Sequence, residues 1–366
     1  VTQNNNTAIG YGAIGNPSTG SDNTAVGSSA LASNTNSYNT AVGKDALKLN
    51  SSGTQNVAVG AFTLDDAATA SGNTGIGYAA LSHPSTGSTN TAVGRNALQA
   101  NQESFNTAIG GDALLVNTTG TRNAALGAFA MDAHTTGNDS TALGYGALSA
   151  SSTGASYVAV GSLALLSMTT GSFNVGVGKD TLDAVTTGSY NVAVGNNAGD
   201  AITTGNINTC IGQDAGKSIT TGSQNIMIGL DAGRSNSPSG DVTSANHQVC
   251  IGDNAITNAF IKVAFTVTSD QRDKIEDGVV SHGLDFVNQL KPKSFWFRKN
   301  RDSDEKHGDK RYGFYAQDIL ALEGSDSVVI DSKDSDNLKF KGDQLIPILV
   351  NAIKELSVKV TALEAG

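Results

Sequence analysis

The sequence predicts a mostly β protein: an oligomeric β-solenoid or β-roll of about 17-residue repeats, then a small α+β domain ending in a coiled-coil helix. Three observations lead there. One phrase built around a glycine recurs at fixed spacing through the first two-thirds of the chain. Charge content changes abruptly near residue 253. The last 21 residues carry apolar side chains in heptads.

The repeat reads NTAIGYGAI, NTAVGSSAL, NTAVGKDAL, NVAVGAFTL, NTGIGYAAL, NTAVGRNAL. Its central glycines run from Gly10 and Gly27 to Gly229 at 17-residue intervals, twice shortened to 16. Gly252 follows after 23, beyond the insertion RSNSPSGDVTSANHQ. Such a unit is too short for two helices and a turn, but it suffices for one solenoid coil. N-T-A-V-G alternates as a strand does, with Thr and Val on one face and the small Ala on the other. A second short strand is expected at the A-L pair, and S-T-G-S or T-T-G-S supplies the turn. Mostly Ala, Val and Leu are expected inside, a thin core that favours burial against neighbouring chains.

Asparagine stands four residues before nearly every motif glycine, from Asn23 and Asn39 to Asn208 and Asn225. Stacked coils place these amides about 4.8 Å apart, each able to bond the next and cap the turn. Ser140 and Tyr157 interrupt the ladder. Cys210 and Cys250 replace the small Ala of the motif, which reads as small buried residues and not as a disulfide or metal pair. Tyr11, Tyr78 and Tyr145 recur just after the glycine, on a sugar-binding face or as a cover for the solenoid.

Composition narrows the function. The net charge is −10 and no basic run forms a phosphate-binding stripe, so no nucleic acid partner is expected. No stretch of about eighteen apolar residues occurs, so no membrane insertion is expected. His83, His134, His247, His282 and His307 sit in unrelated contexts, and no nucleotide or metal motif is present; no cofactor and no metal are expected. The opening VTQNNNTAIGYG already lies in the repeat, without a visible secretion signal, as expected of a piece of a longer protein.

Residues 1–252 carry 7 basic and 14 acidic side chains, and the last 114 carry 16 and 19, which places a boundary near 253–268. FIKVAFTV (260–267) reads as a linking β-segment. GLDFVNQLKPKSFWF (283–297) begins as a helix with Leu284, Val287 and Leu290 on one face. Pro292 stops it, and a strand with Phe295, Trp296 and Phe297 follows, Trp296 in a core. RKNRDSDEKHGDKR (298–311) reads as a solvated hairpin loop and YGFYAQDIL as a strand end entering a short helix. In the terminal helix, about 343–364, Ile346, Ile353 and Val360 occupy a positions and Leu349, Leu356 and Leu363 d positions, with Lys354, Glu355 and Lys359 outside.

At the boundary stands TVTSDQRDKIED, with Ser269 five residues before Lys274. A serine hydroxyl becomes a nucleophile when a base takes its proton, and lysine is that base where its pKa is lowered. The bland reading is that Ser269 and Asp270 cap a helix starting near Gln271.

SDQRDKI, GLDFVNQLKPKSFWF, GFYAQDI and the heptad helix, in that order, resemble the C-terminal intramolecular chaperone domain of bacteriophage tailspikes and tail fibres. This is the self-cleaving domain first associated with endosialidases and also classed as a serine peptidase family. The resemblance covers roughly residues 268–366. It implies a homotrimer, hence a trimeric β-solenoid, and a chaperone that releases itself with Ser269 as nucleophile and Lys274 as base, cutting next to Ser269. Asp270 belongs to the same motif in a supporting role. Asp318 stands where the family commonly has Glu. The implied organisation is a shaft or receptor-binding region (1–252), a linking segment with the cleavage junction (253–268) and the chaperone (269–366). The implied setting is a virion tail fibre whose partners are other phage tail proteins and a host cell-surface glycan or protein receptor. The repeats are also similar to the solenoid heads of trimeric bacterial surface adhesins, so a bacterial cell-surface adhesin is an alternative. A glycan-degrading tailspike is a further one. It would need paired carboxylates, and Asp214 and Asp231 fall at equivalent places in neighbouring coils.

Overall fold

In the computed structural model, which describes residues 5–15, 19–83, 86–262, 269–298, 301–324 and 327–365, the chain divides into two units, Val1–Asp253 and Asn254–Gly366.

The first unit is a parallel β-solenoid. Among its described residues, fifteen three-residue strands, β1 (Thr7–Ile9) to β15 (Val249–Ile251), pair in chain order into one sheet. Like stacks on like: Thr24, Ala25 and Val26 face Thr40, Ala41 and Val42. The central residue of β2 to β15, Ala in most of them, points inward and is buried, as at Ala25, Ala41, Ala58 and Ala92. The flanking Thr and Val or Ile point outward and stay partly exposed. The core is therefore mostly Ala and Leu, and the Val of the repeated motif lies on the outer face.

The expected second strand at A-L does not form. Leu31, Leu47, Leu64 and their equivalents are fully buried, but their φ angles near +50° place them in turns. They still stack, because the Leu31 amide donates to the Ala46 carbonyl of the next coil at 3.0 Å. From residue 199 this leucine gives way to Gly199 and Gly216, and the position three further on becomes Ile202 and Ile219. Ile202 Cδ1 lies 3.0 Å from where a Gly199 Cβ would stand, so the apolar volume is supplied from another point of the coil.

The motif glycine is required by two constraints together. Gly27 has φ +138°, and a Cβ there would stand 2.4 Å from the Gly43 carbonyl oxygen of the next coil.

The asparagine ladder forms in the coil interior. Each Oδ1 accepts from the backbone amide of the next rung, as in Asn39 to Asn23 at 2.9 Å and Asn56 to Asn39 at 3.1 Å. Each Nδ2 donates to a turn carbonyl, as in Asn123 to Gly137 at 2.8 Å. Where the ladder breaks, the bonds persist with other atoms. The Ser140 amide donates to Asn123 Oδ1 at 3.1 Å, and the Tyr157 hydroxyl donates to the Gly171 carbonyl. Buried polar backbone thus remains paired along the coil interior.

The second unit is a small α+β domain. Helix α1 (Leu284–Gln289) ends before Pro292 and leads into the antiparallel hairpin β16 (Lys293–Arg298) and β17 (Lys306–Gly313). Helix α2 (Ala316–Glu323), the short pair β18 (Ile330–Asp331) and β19 (Lys339–Phe340), and the 20-residue helix α3 (Leu345–Glu364) follow. Phe286, Ile319, Val329, Ile330, Leu345 and Ile348 form the core.

Three expectations change here. The stretch 298–311 is not all loop, because its second half is β17. Trp296 is not a core residue: its ring is partly exposed under the Lys306 ammonium, 3.9 Å from its centroid. Glu355 is not a free outward charge, since it binds the start of α1. Of the expected linking β-segment, 254–262 carries no strand and 263–268 lies outside the described residues.

Candidate active site

The pair Ser269 and Lys274 is assembled by one 3-10 turn, Gln271–Asp273. Asp270 caps it, its carboxylate accepting from the Arg272 amide at 2.9 Å. The Lys274 amide closes the turn on the Gln271 carbonyl at 3.1 Å. Residues five apart are thereby brought together: Lys274 Nζ donates to Ser269 Oγ at 2.5 Å and lies 3.4 Å from the Ser269 carbonyl oxygen.

The Asp270 carboxylate is engaged by Arg272. The Arg272 guanidinium grips it with Nη2 at 2.6 Å and Nε at 3.0 Å, holding its carboxyl below the usual range. Arg272 is the residue that sequence reasoning passed over; its place two after the cap, where a long side chain can fold back, was the available signal. The bland capping role thus belongs to Asp270, and Ser269 is left with its hydroxyl on the lysine.

The segment around the pair is uncovered. Every residue from 269 to 281 is exposed, including Ile275 at 99% and Val279 at 93%. Downstream, α3 takes hold: Asn351 Nδ2 donates to the Val280 and His282 carbonyls at 3.3 and 3.0 Å, and Glu355 Oε2 accepts from the Leu284 amide at 2.9 Å. A polar pocket beside these contacts is lined by Ser281, His282, Asp285, Gln289, Leu322 and Glu355. Neither Ser269 nor Lys274 lines it.

The solenoid acids Asp200, Asp214 and Asp231 are engaged by cations. Lys217 bridges Asp200 at 3.4 Å and Asp214 at 3.2 Å, and Arg234 contacts Asp214 and Asp231. Asp214 and Asp231 therefore share a cation and are not a free acid pair. Tyr78 and Tyr145 are exposed but each packs edge-on against an aromatic of the preceding coil, Phe62 and Phe129, at 5.7 and 5.8 Å between centroids. Among the described residues no helix is long and apolar enough to cross a membrane.

A long β-solenoid, followed by a small α+β domain that opens on a Ser-Lys turn, is the class of architecture present. Residues 269–328 match the family model described as chaperone of endosialidase, a peptidase family, and the match begins at Ser269 itself. No curated protein and no solved structure matches the chain significantly.

Proposed function

We propose that this chain is part of a phage tail fibre or tailspike whose C-terminal domain drives homotrimer assembly and then cuts its covalent link to the shaft at Ser269. The observation that carries this reading is the 2.5 Å contact of Lys274 Nζ with Ser269 Oγ at the first residue of the matched region. In the reaction, uncharged Lys274 takes the Oγ proton and Oγ attacks the carbonyl carbon of Thr268. The bond from that carbon to the Ser269 nitrogen breaks, and the lysine ammonium returns the proton to the leaving amine. Water, deprotonated by Lys274, then hydrolyses the ester. The products are a shaft ending at Thr268 and a domain beginning at Ser269. Nucleophile and scissile bond belong to one chain, so positioning supplies much of the rate.

Assembly is supported by apolar surface that one chain leaves open. The outer column of Val, Ile and Leu on the solenoid runs from Ile9 to Ile251 with every rung partly exposed. Over fifteen rungs this is on the order of the ~800 Å² per partner of a standard interface. On α3, Ile348 and Ala352 face the domain core, while the heptad residues Ile346, Leu349, Ile353, Leu356, Val360 and Leu363 are exposed. Ile275 and Val279, beside the dyad, are open too. Covering them by a neighbouring copy excludes water from the Ser269–Lys274 turn and so times cleavage to assembly. Residues 1–252 are then the shaft, meeting other tail proteins and a host cell-surface glycan or protein.

The test is intact mass and oligomeric state of the purified protein beside Ser269→Ala and Lys274→Ala. A 98-residue fragment beginning at Ser269 in the wild type only, from a trimer, is the expected outcome. A wild-type chain that assembles and stays whole overturns self-cleavage.

A further inference from the structure

The described stretch before the cleavage junction is held by β17. His307 Nε2 donates to the Ala255 carbonyl at 3.1 Å, and Arg311 Nη2 donates to the Thr257 carbonyl at 2.8 Å. Between them Gly308 packs against Thr257: a Cβ there would already stand in van der Waals contact, 3.6 Å from the threonine side chain. His307 and Arg311 are four apart on one strand and share a face, and the carbonyls they bind belong to alternate residues of the bound segment. Both hydrogen bonds go to main-chain oxygens, so the surface reads the backbone of this segment more than its side chains.

We propose that β17 is a binding surface for residues 255–257 that keeps the shaft's C-terminal tail attached after the chain has been cut. This rests on the proposed cleavage at Ser269. The cut falls between the two partners of every contact: Ala255 and Thr257 go with the shaft, His307, Gly308 and Arg311 with the released domain. Breaking the peptide bond severs none of these contacts. Cleavage and departure of the domain are therefore separate events, and the domain stays docked on the tail it has just freed. In an oligomer the same contacts are made by each copy, and their joint dissociation is slower than that of any one.

The experiment uses the full-length protein after self-cleavage is complete, run on a sizing column with the fractions resolved on a denaturing gel. The wild-type 98-residue fragment is expected to elute with the shaft. In His307→Ala/Arg311→Ala it is expected to be cut and to elute apart. His307→Gln/Arg311→Lys, which keeps a donor at both places, is expected to restore co-elution and so separates loss of the clamp from misfolding of the hairpin. Wild-type fragments that part at once, or an alanine pair that holds the fragment as firmly as wild type, overturn the proposal. Limited proteolysis of uncut Ser269→Ala tests the clamp independently of cleavage. Cutting within residues 255–258 should be about tenfold faster once the alanine pair is added. An unchanged rate overturns the clamp, whereas a wild type that never cuts itself while proteolysis does accelerate overturns the cleavage reading and leaves the binding surface standing.

Discussion

The Leu284 amide and the Glu355 carboxylate, 71 residues apart, are joined by a 2.9 Å hydrogen bond that caps α1 with a side chain from α3. Gly283 makes this possible, because a Cβ there would stand 1.9 Å from Glu355 Oε1. Asn351, one turn earlier on α3, binds the Val280 and His282 carbonyls, so the long helix anchors the chain just after the Ser269–Lys274 turn. Glu355→Ala is expected to lower the stability of the C-terminal unit by about 1 kcal/mol, the usual size of a lost cap. Gly283→Ala is expected to do at least as much by displacing the carboxylate, and both should slow self-cleavage. Glu355→Gln keeps an acceptor and should recover most of the rate. Denaturant midpoints and a cleavage time course check this; a rate unchanged in Glu355→Ala would show that the anchor does not reach the dyad.

Glu323 holds the turn after α2 in a similar manner but from a buried position. Its Oε1 accepts from the Val328 and Val329 amides at 2.8 and 2.6 Å, and its Oε2 from the Ile330 amide at 3.0 Å. Val329 and Ile330 lie in the core of the unit, so alanine at 323 leaves buried amides unpaired. A loss of roughly 3 kcal/mol is expected, from several hydrogen bonds to one charged acceptor. The melting of the solenoid should stay where it is, because Glu323 belongs to the other unit. Two transitions followed by calorimetry, with only one displaced, would bear this out.

How legible the molecule was in its sequence follows from where each interaction lies. The 17-residue period stacks like on like, so the parallel sheet, the glycine column and the asparagine ladder could all be read from spacing. The direction of Val26 and the turn at Leu31 could not. Alternation alone does not say which strand face is inside, and a leucine gives no sign that its φ will be +53°. At the site, Ser269 and Lys274 are close in sequence and belong to a recognisable motif, so the pair was visible. Their supports were not: Asn351, Glu355, His307 and Arg311 reach partners 52 to 71 residues away, and no local pattern marks them.

Tyr157 provides a test of the interior ladder. Its hydroxyl donates to the Gly171 carbonyl, the role that Nδ2 plays in other coils, and burial pushes its pKa up to about 12, so it remains a donor at any working pH. Tyr157→Phe keeps the ring and strands a buried carbonyl, which should cost about 1–2 kcal/mol. The effect is expected to stay local, since in a stacked array each coil contacts only its neighbours. Hydrogen exchange should accelerate around residues 140–175 and remain unchanged near residue 50; a uniform change along the shaft would count against nearest-neighbour stability.

A buried histidine and a half-buried aspartate give the shaft opposite responses to pH at different points. His134 is fully buried, with Nε2 on the Gly137 carbonyl at 3.0 Å and Nδ1 3.2 Å from Ser151 Oγ, and burial lowers its pKa from 6.5. The folded coil thus favours the neutral ring. That contribution is complete above the unfolded value of 6.5 and is lost as pH falls below it towards the folded value. Asp65 behaves in the other sense. Burial, aided by the neighbouring charge of Asp66, raises its pKa from 3.8 to about 6, and its Oδ1 is buried without a hydrogen-bond partner. Here the folded coil favours the protonated acid, so stability declines as pH rises from 3.8 to about 6, and the penalty is full above that. Because the carboxyl is only half-buried, that penalty is about 1 kcal/mol after solvent screening. Moving from pH 8 to pH 5 should therefore loosen the coils around residue 134 and tighten those around residue 65, with little net change in overall melting. Site-resolved hydrogen exchange at the two pH values reads both. His134→Asn, which places there the residue that Asn117 supplies one coil earlier, should flatten the first response, and Asp65→Asn the second. Coils that loosen or tighten together, or responses that survive these substitutions, would mean that other groups set the pH dependence of the shaft.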